Sequence, residues 1–561
     1  MAFWNNFSFP SPVDDILKRP GFTLQDLLDE DEVVVETRNQ KQDLLAFLTT
    51  KENINQLITY IVSEPDAEAP VNVKMRYPVV ACEILSSDIA EIERVLIENE
   101  EFLDRIFRFY ENPKINLLLS NLVVKVAKSL ITSKVEPMVG ILKKNAVFID
   151  YLLNHLESSA VTEFFTKLVN LDGDFEGKTT QQWLVEIGFV EKLIEKLDKK
   201  FIDIHSDVCQ AILDIIGAAT WGGPVMIRFV SLDVSRLIFK IIMDPANPTS
   251  FKYGLKIFNK LLRGLSVAQE DNQDSDEDEE KPKLTKPDPL GPLEQLPPPI
   301  QVFAEHLEKF CNLLRTPLST NNISDQSRCS YQAFGFDRLV ILELIDALLD
   351  LNYMAVNKLI LKSDVFPVGL KLMFEFPHNN FCHRALETIF VKFLENSGQE
   401  AQLTFLEKTD LPKKLVATDK LFGAGTVPTQ DGKPLLYRPY LHRIVYSIGE
   451  IAERATHLKD ILEGVEGWND LLNFIKEEKK KSETSSAAAK VEEEPTYFQP
   501  PASLDVPDID GNDGYEEGRD NDDEDLNLDD DQDMDSANDA DDYDADQAEI
   551  LLTKQEIEAS A

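Results

Sequence analysis

Cysteine is scarce in this sequence, and its few copies lie far apart. The 561 residues contain five cysteines, and none of them forms a C-x-x-C pair. Disulfide frameworks have a denser and even pattern, so we expect reduced, mostly buried thiols. We therefore predict a cytoplasmic protein, with nuclear residence as the alternative. The five are Cys82, Cys209, Cys311, Cys329 and Cys382.

Long apolar runs are also missing. The strongly apolar segment 339–351 is interrupted by Glu343, Asp346 and Asp350. The first residues have neither the positive region nor the apolar region of a secretory signal. We therefore expect neither a membrane-spanning helix nor a signal peptide.

Positively charged residues are far fewer than negatively charged ones. Against 100 Asp and Glu there are 57 Lys and Arg, giving a net charge of −43. Residues 491–561 contain 27 acidic and two basic residues, a net charge of −25, and residues 270–280 add eight acidic residues and no basic one. The remainder of the chain carries only −10. Because phosphates attract clustered Lys and Arg, nucleic acid and anionic membranes are excluded as main partners.

Motifs that carry chemistry are absent as well. His378 and His383 lie on either side of Cys382, but their spacing matches neither a zinc finger nor a zincin. The glycine-rich segment 422–426 lacks the spacing and the lysine of a phosphate-binding loop, so a turn is predicted there. No G-x-S-x-G elbow or kinase signature occurs. We expect no enzyme activity, no cofactor and no metal.

What the sequence does contain is helical periodicity. Ile54, Leu57, Ile58, Ile61 and Val62 follow one stripe of an amphipathic helix. Proline and glycine end such blocks every 15 to 30 residues, and alternating strand patterns are scarce. No repeat of fixed period is evident, which leaves armadillo or HEAT repeats of variable length. The predicted fold is all-α, an armadillo/HEAT-like helical solenoid.

Local signals refine this picture. Thr23 and Asp26 have the spacing of a capping box at a helix start, and Phe22 with Leu27 would form its hydrophobic staple. Composition divides the chain into five parts. These are an irregular lead-in (1–12), a helical region (13–266), a disordered acidic and proline-rich insertion (267–300), a second helical region (301–478) and a disordered acidic tail (479–561).

A series of short motifs follows in order along residues 1 to about 480. They are Phe3-Trp4, residues 13–17, 22–31 and 39–48, Arg76-Tyr77-Pro78 with residues 81–85, Asn379-Asn380-Phe381, residues 440–444, and Gly467-Trp468. Together they resemble the SAPS-domain family, the regulatory subunits of protein phosphatase 6 and its fungal counterpart. The N-terminal hundred residues are the most specific part of this resemblance.

The resemblance implies a non-catalytic regulatory subunit. Proteins of this family bind the phosphatase catalytic subunit, and in animals also ankyrin-repeat partners, and so direct dephosphorylation. An extended stack of helices would provide the surface on which such partners are placed.

Five residues are candidates for partner binding. Asn379, Asn380 and Phe381 lie between two helical blocks, where asparagine either stabilises a turn or contacts a partner. His442 and Arg443 lie beside the apolar stripe of a helix, and Arg443 would pair either with a phosphatase carboxylate or with a neighbouring helix.

The N-terminal aromatic residues are open to two interpretations. Phe3, Trp4, Phe7 and Phe9 would either cover the open end of the helical stack, which we favour, or anchor a partner.

Two serines have an acidic residue three positions later, as an acid-directed kinase requires. Ser275 precedes Asp278 and Ser536 precedes Asp539. Phosphorylation there would add charge to acidic segments and alter partner binding more than folding. The acidic tail also keeps a second function open, an acidic helical-repeat adaptor for histone binding or transport.

Overall fold

The computed structural model describes residues 11–173, 179–270, 288–318, 322–324, 330–423, 429–430, 433–434 and 437–492. The helical body lies within residues 1–489. Its first helices begin at capping boxes, in which a hydroxyl and a carboxylate satisfy each other's backbone N–H groups. Asp26 accepts a hydrogen bond from the Thr23 amide at 2.7 Å, and the Thr23 hydroxyl accepts one from the Asp26 amide. The predicted capping box at Thr23 is confirmed.

Helices dominate the N-terminal half. They are α1 (Pro12–Leu17), α2 (Leu24–Leu28), α3 (Val33–Arg38), α4 (Gln42–Leu48), α5 (Lys51–Val62), α6 (Tyr77–Leu85), α7 (Ala90–Glu98), α8 (Glu100–Arg108), α9 (Leu117–Ser133), α10 (Val135–Lys144), α11 (Val147–Leu153), α12 (Ser159–Val169), α13 (Thr179–Glu186), α14 (Phe189–Glu195), α15 (His205–Ala218), α16 (Pro224–Phe229), α17 (Leu232–Ile242) and α18 (Pro248–Glu270). A π-helical turn, Asn72–Arg76, leads directly into α6.

The C-terminal half continues in the same way. Its helices are α19 (Pro298–Arg315), α20 (Phe336–Asp350), α21 (Met354–Lys362), α22 (Val365–Glu375), α23 (Asn380–Asn396), α24 (Gln399–Thr409), α25 (Leu411–Gly423), α26 (Arg438–Arg454), α27 (Thr456–Glu463) and α28 (Trp468–Glu492). Two short antiparallel hairpins lie in the loops, β1 (Asn322–Ser324) with β2 (Ser330–Gln332) and β3 (Thr429–Gln430) with β4 (Lys433–Pro434).

The helices stack in rows. One row, here called the central row, contains α6, α9, α12, α15, α18, α20, α23 and α26, each packed against the next. A second row contains α5, α8 and α11, and continues with α14, α17, α19, α22, α24 and α27. Shorter helices join the rows, and apolar side chains between the rows form one continuous core. This is the repeat architecture that the helical periodicity predicts, and the predicted all-α armadillo/HEAT-like class is confirmed.

The repeat period is visible in the side-chain contacts between successive repeats. Cys82 donates to the Leu122 carbonyl 40 residues later, His155 contacts Tyr110 45 residues earlier, and Lys392 contacts Asp346 46 residues earlier. Such separations match the length of armadillo and HEAT repeats. Because the separation varies from pair to pair and the contacting residue types differ, no fixed period is visible in the sequence.

The boundaries of the predicted insertion at 267–300 need correction. Helix α18 extends to Glu270, and α19 already begins at Pro298. Leu296 and Ile300 are buried, and the Pro289 carbonyl accepts a hydrogen bond from the Met354 amide at 2.9 Å. Proline is compatible with the first turn of a helix, so the proline cluster begins α19 instead of preventing it. The residues between 271 and 287 lie outside the described part.

The other predicted irregular segments are described only at their edges. In the lead-in, the structure describes Ser11 and Pro12, where α1 begins, and in the tail it describes α28 as far as Glu492. The four aromatic residues of the lead-in, both candidate phosphorylation sites and the rest of the tail lie outside the described residues. Their roles stay predictions.

Four of the five cysteines lie in the described part of the chain. Cys82, Cys209, Cys311 and Cys382 are buried, as predicted, while Cys329 lies outside the described residues. Burial raises the pKa of Cys82 to about 11 and that of Cys382 to about 12, so both stay protonated thiols. Within the described ranges, no helix combines the length and the apolar character that crossing a bilayer requires.

Candidate partner-binding surface

The central row presents charged residues that are paired between neighbouring helices. Glu83 of α6 pairs with Lys125 of α9, and Lys128 of α9 pairs with Glu163 of α12 at 2.6 Å. Farther along the row, Asp346 of α20 pairs with both Arg263 and Lys392. Exposed pairs of this kind contribute little stability, but their charges are largely compensated. Much of this face is therefore a neutral, solvated surface.

The first predicted partner-binding residues lie at the start of α23. The Asn379 side chain accepts a hydrogen bond from the Cys382 amide at 2.8 Å and so caps the helix. Of the two interpretations of Asn379, turn stabilisation is the one for which the structure provides a contact. Asn380 is exposed, and Phe381 is 54% exposed on the first turn.

Arg443 lies on α26, the helix that packs against α23. Its guanidinium donates two hydrogen bonds to Glu387 of α23, at 2.6 and 2.7 Å, and lies 4.5 Å from the centre of the Tyr440 ring. Because the Glu387 carboxylate accepts these hydrogen bonds, it raises the pKa of Arg443. The alternative in which Arg443 pairs with a neighbouring helix is therefore present in the structure. Both Phe381 and Arg443 remain exposed, on two neighbouring helices.

His442 takes no part in the contact between Arg443 and Glu387. Its Nε2 lies 2.8 Å from a carboxylate oxygen of Asp419, to which Arg438 also donates at 3.0 Å. Burial alone would raise the pKa of Asp419, but hydrogen bonds from His442 and Arg438 hold it below its ordinary value. His442 thus holds α26 against α25. The structure places Phe381 and Arg443 at exposed positions of two helices that pack together, whereas Asn379 caps α23 and His442 bonds to α25.

The histidine and cysteine at 382–383 are part of the core. His383 is fully buried, and its Nε2 donates to the Met373 carbonyl at 2.9 Å. Burial lowers the pKa of His383, so the ring is neutral at pH 7. Over the described ranges, no cluster of His, Cys, Asp and Glu has an arrangement that could hold a metal ion.

Arg338 is a buried charge that the sequence analysis missed. Its side chain is almost fully enclosed and donates to the carbonyls of Leu314, Arg315 and Phe334, at 2.8, 3.0 and 3.1 Å. The first two belong to the last turn of α19, whose carbonyls have no partner within their own helix. In the sequence, the position of Arg338 directly before the apolar block 339–351 is the signal that it could be buried. Its role is structural, because it closes one helix against the next.

Exposed apolar residues at the N-terminal end were also missed. Val71, Met75 and Val79 follow one another at four-residue spacing along the π-helical turn and α6, with exposed fractions of 72%, 66% and 49%. Pro78 has no amide hydrogen, and the Tyr77 amide donates to the Asn72 carbonyl five residues back. The π-helical turn therefore lies just before Pro78, in the same segment that carries the exposed residues Val71, Met75 and Val79. π-helical turns of this kind are frequent at functional sites.

Two grooves of the described body are lined mainly by charged, apolar and aromatic side chains. A groove of about 490 Å³ between α19 and α22 contains the ion pair of Arg315 and Asp364. A second, of about 450 Å³, lies between α1 and α4 beside Phe22 and Phe47. Neither lining contains a cysteine, a histidine or a serine that could act as a nucleophile with a neighbouring base.

Comparison with known families agrees with the resemblance stated above. A family model described as SAPS, SIT4 phosphatase-associated protein, matches residues 127–359. These residues extend from α9 to α21 and include much of the central row. The resemblance derived from the motifs is confirmed as a similarity to this family.

Similar curated proteins carry consistent names. Serine/threonine-protein phosphatase 6 regulatory subunit 3-B of Xenopus laevis is 25% identical over 427 residues, covering 71% of this chain and 48% of that protein. Regulatory subunit 2 of Mus musculus is 27% identical over 416 residues, covering 71% and 44%. Extragenic suppressor of kinetochore protein 1 of Schizosaccharomyces pombe is 25% identical over 391 residues, covering 63% and 45%. The chain spans about half the length of the curated relatives it matches.

Proposed function

We propose that this protein is a non-catalytic regulatory subunit that binds a catalytic subunit of the protein phosphatase 6 type and directs it to substrates. The observation that carries the proposal is the similarity to named phosphatase 6 regulatory subunits over about 70% of this chain. A stack of helical repeats suits this role, because it offers a long surface on which more than one protein can bind.

The mechanism we propose is recruitment. Binding the enzyme and a second protein on one body raises the effective concentration of the substrate near a catalytic centre that the other chain carries. The chemistry of dephosphorylation then requires no nucleophile, metal or cofactor from this chain. Cytoplasmic residence, with the nucleus as alternative, is part of the same proposal.

The surface formed by α23 and α26 is proposed as one partner contact. Phe381 supplies an exposed aromatic ring and Arg443 an exposed guanidinium beside Tyr440, a combination that is enriched at binding hot spots. Asn380 would lie at the edge of this contact. Asn379 would hold α23 in place, and His442 would hold α26. We propose that this surface binds the second protein of the complex, for which ankyrin-repeat regulators are the candidates.

The acidic tail supports a second candidate function, an adaptor for histones or other basic proteins. Residues 491–561 carry a net charge of −25, which would attract basic partners in a salt-dependent way. The adaptor would lose its partner when the tail is removed, whereas a phosphatase subunit would retain the catalytic subunit.

An affinity pull-down from cell extract distinguishes these two functions. The baits are the full chain and the chain without residues 491–561, each washed at low and at moderate salt. We expect both baits to retain a phosphatase 6-type catalytic subunit under both conditions. Capture of basic proteins alone, lost with the tail and with salt, would favour the adaptor and refute the phosphatase proposal.

A further inference from the structure

The N-terminal end of the helical body carries an apolar surface that no described part of the chain covers. Six large apolar side chains there are between 49% and 72% exposed. Single exposed apolar residues need no explanation, but a contiguous group of them marks an interaction site. The group, here called the N-terminal apolar patch, consists of Val35, Val71, Met75, Val79, Leu117 and Leu118.

The contacts between α6 and α9 place the members of this patch side by side. Cys82 contacts the Leu122 carbonyl, Glu83 pairs with Lys125, and Asp88 accepts from Ser129 at 2.5 Å. Residue numbers rise together on both helices, so the two run parallel. Leu118 lies two turns before Lys125, and Met75 and Val79 lie two turns and one turn before Glu83. Leu118 is therefore level with the exposed stripe of α6.

Helix α3 extends the patch on the other side of α6. Arg38 of α3 donates to Glu83 at 2.6 Å, and Arg76 before α6 pairs with Asp31 just before α3. These two contacts show that α3 also runs parallel to α6. Val35 lies about one turn before Arg38 and therefore beside Val79. Three adjacent helices thus contribute to one apolar surface.

Two exposed cations lie together at the edge of the patch. One carboxylate, that of Glu83, is shared by two cations, Arg38 and Lys125, whose side chains are 56% and 50% exposed. The two cations exceed this carboxylate by one positive charge. A partner that brings a carboxylate next to its apolar side chains would complement it. A second copy of this chain, paired by a twofold axis, would bring the same two cations to the interface, so it fits less well.

We propose that the N-terminal apolar patch docks the phosphatase catalytic subunit, through an apolar ridge of that subunit bordered by carboxylates. This inference rests on the proposed function. The patch and the α23–α26 surface are separated along the central row by α12, α15, α18 and α20. The two surfaces can therefore bind different proteins at the same time, as recruitment requires.

Variants of exposed residues test this docking surface without disturbing the core. The double variant M75E/L118E places two carboxylates in the patch, and V147E/I227E is its control, at residues that are 46% and 50% exposed on α11 and α16. Binding of the purified catalytic subunit to each full chain is measured by calorimetry. We expect M75E/L118E to weaken binding by about tenfold or more and V147E/I227E to change it by less than about twofold.

The charged edge provides an independent comparison. K125E reverses one cation beside the patch, and K144E reverses an exposed cation of α10 that pairs with Glu100 of α8 at 2.7 Å. We expect K125E to weaken binding, with a larger effect at low salt than at high salt, and K144E to leave it unchanged.

Each other outcome would contradict the proposal in a different way. If the wild-type chain does not bind the catalytic subunit, the proposed function fails and the docking proposal with it. If the wild type and M75E/L118E bind equally, the docking proposal fails and the function stands. If M75E/L118E converts a dimer into a monomer, a second copy occupies the patch. If it lowers the melting temperature, another segment of this chain occupies it.

Discussion

At the scale of single residues, the repeats are joined by polar side chains that bind the C-terminal carbonyls of other helices. Arg338 binds the end of α19, Lys408 binds the Leu361 and Lys362 carbonyls of α21, and Asn396 binds the Leu349 carbonyl of α20. The last carbonyls of a helix have no partner within that helix and attract cations. These contacts thus satisfy acceptors at helix ends while fixing how one helix meets the next.

Removing the guanidinium of Arg338 tests this role. R338M keeps much of the apolar volume but removes the donor of three carbonyls, two of them in buried hydrogen bonds. We expect the free energy of unfolding to fall by roughly 3 kcal/mol, because each unsatisfied buried group costs about 1–3 kcal/mol. Denaturant unfolding followed by circular dichroism measures it. R236M, which removes an exposed pair with Glu305, should cost less than about 1 kcal/mol, and an equal loss in both variants would contradict the account.

His383 makes stability depend on pH. Burial lowers the pKa of His383 in the folded chain below its value of about 6.5 in the unfolded chain, and His378 nearby adds to the effect. The unfolded state therefore binds more protons as the pH falls through about 6.5, and the stabilisation present above that pH is lost.

A variant that cannot titrate isolates this contribution. H383Q offers an amide donor for the Met373 carbonyl without an ionisable group. We expect melting temperatures measured between pH 7.5 and 5.5 to fall less in H383Q than in the wild type. An identical fall in both proteins would show that His383 is not the group responsible.

At the scale of helices, local sequence signals determine where each element begins. The capping box at Thr23 and the stripe of α5 were predicted correctly, because they depend only on neighbours within one or two turns. The start of α19 was predicted wrongly. A proline cluster is typical of linkers, but proline is also compatible with the first turn of a helix. The partners of Arg443 and His442 could not be predicted either, because they lie 56 and 23 residues away.

The two asparagines at the start of α23 allow a matched comparison. Asn379 caps the helix, whereas Asn380 is exposed on its first turn. We expect N379A to lower the free energy of unfolding by about 1 kcal/mol, as is usual for the loss of a cap, and N380A to change it by a few tenths. Thermal melting of both variants provides the comparison. Equal stabilities would mean that the Asn379 cap contributes nothing.

At the scale of the whole molecule, charge and apolar surface are distributed separately. Most of the net charge belongs to residues 491–561 and 270–280, while the helical rows carry compensated pairs. The sequence was sufficient to predict the all-α repeat class, since periodicity and composition determine it. It did not reveal the N-terminal apolar patch, because Val35, Met75 and Leu118 become neighbours only when α3, α6 and α9 pack side by side.

The central claim is that this chain binds a phosphatase 6-type catalytic subunit. The most direct test is to mix the purified full chain with that subunit and measure the mass of the eluting species by size-exclusion chromatography with light scattering. We expect one stoichiometric complex that persists at moderate salt and forms equally well without residues 491–561. Separate elution of the two proteins would contradict the claim.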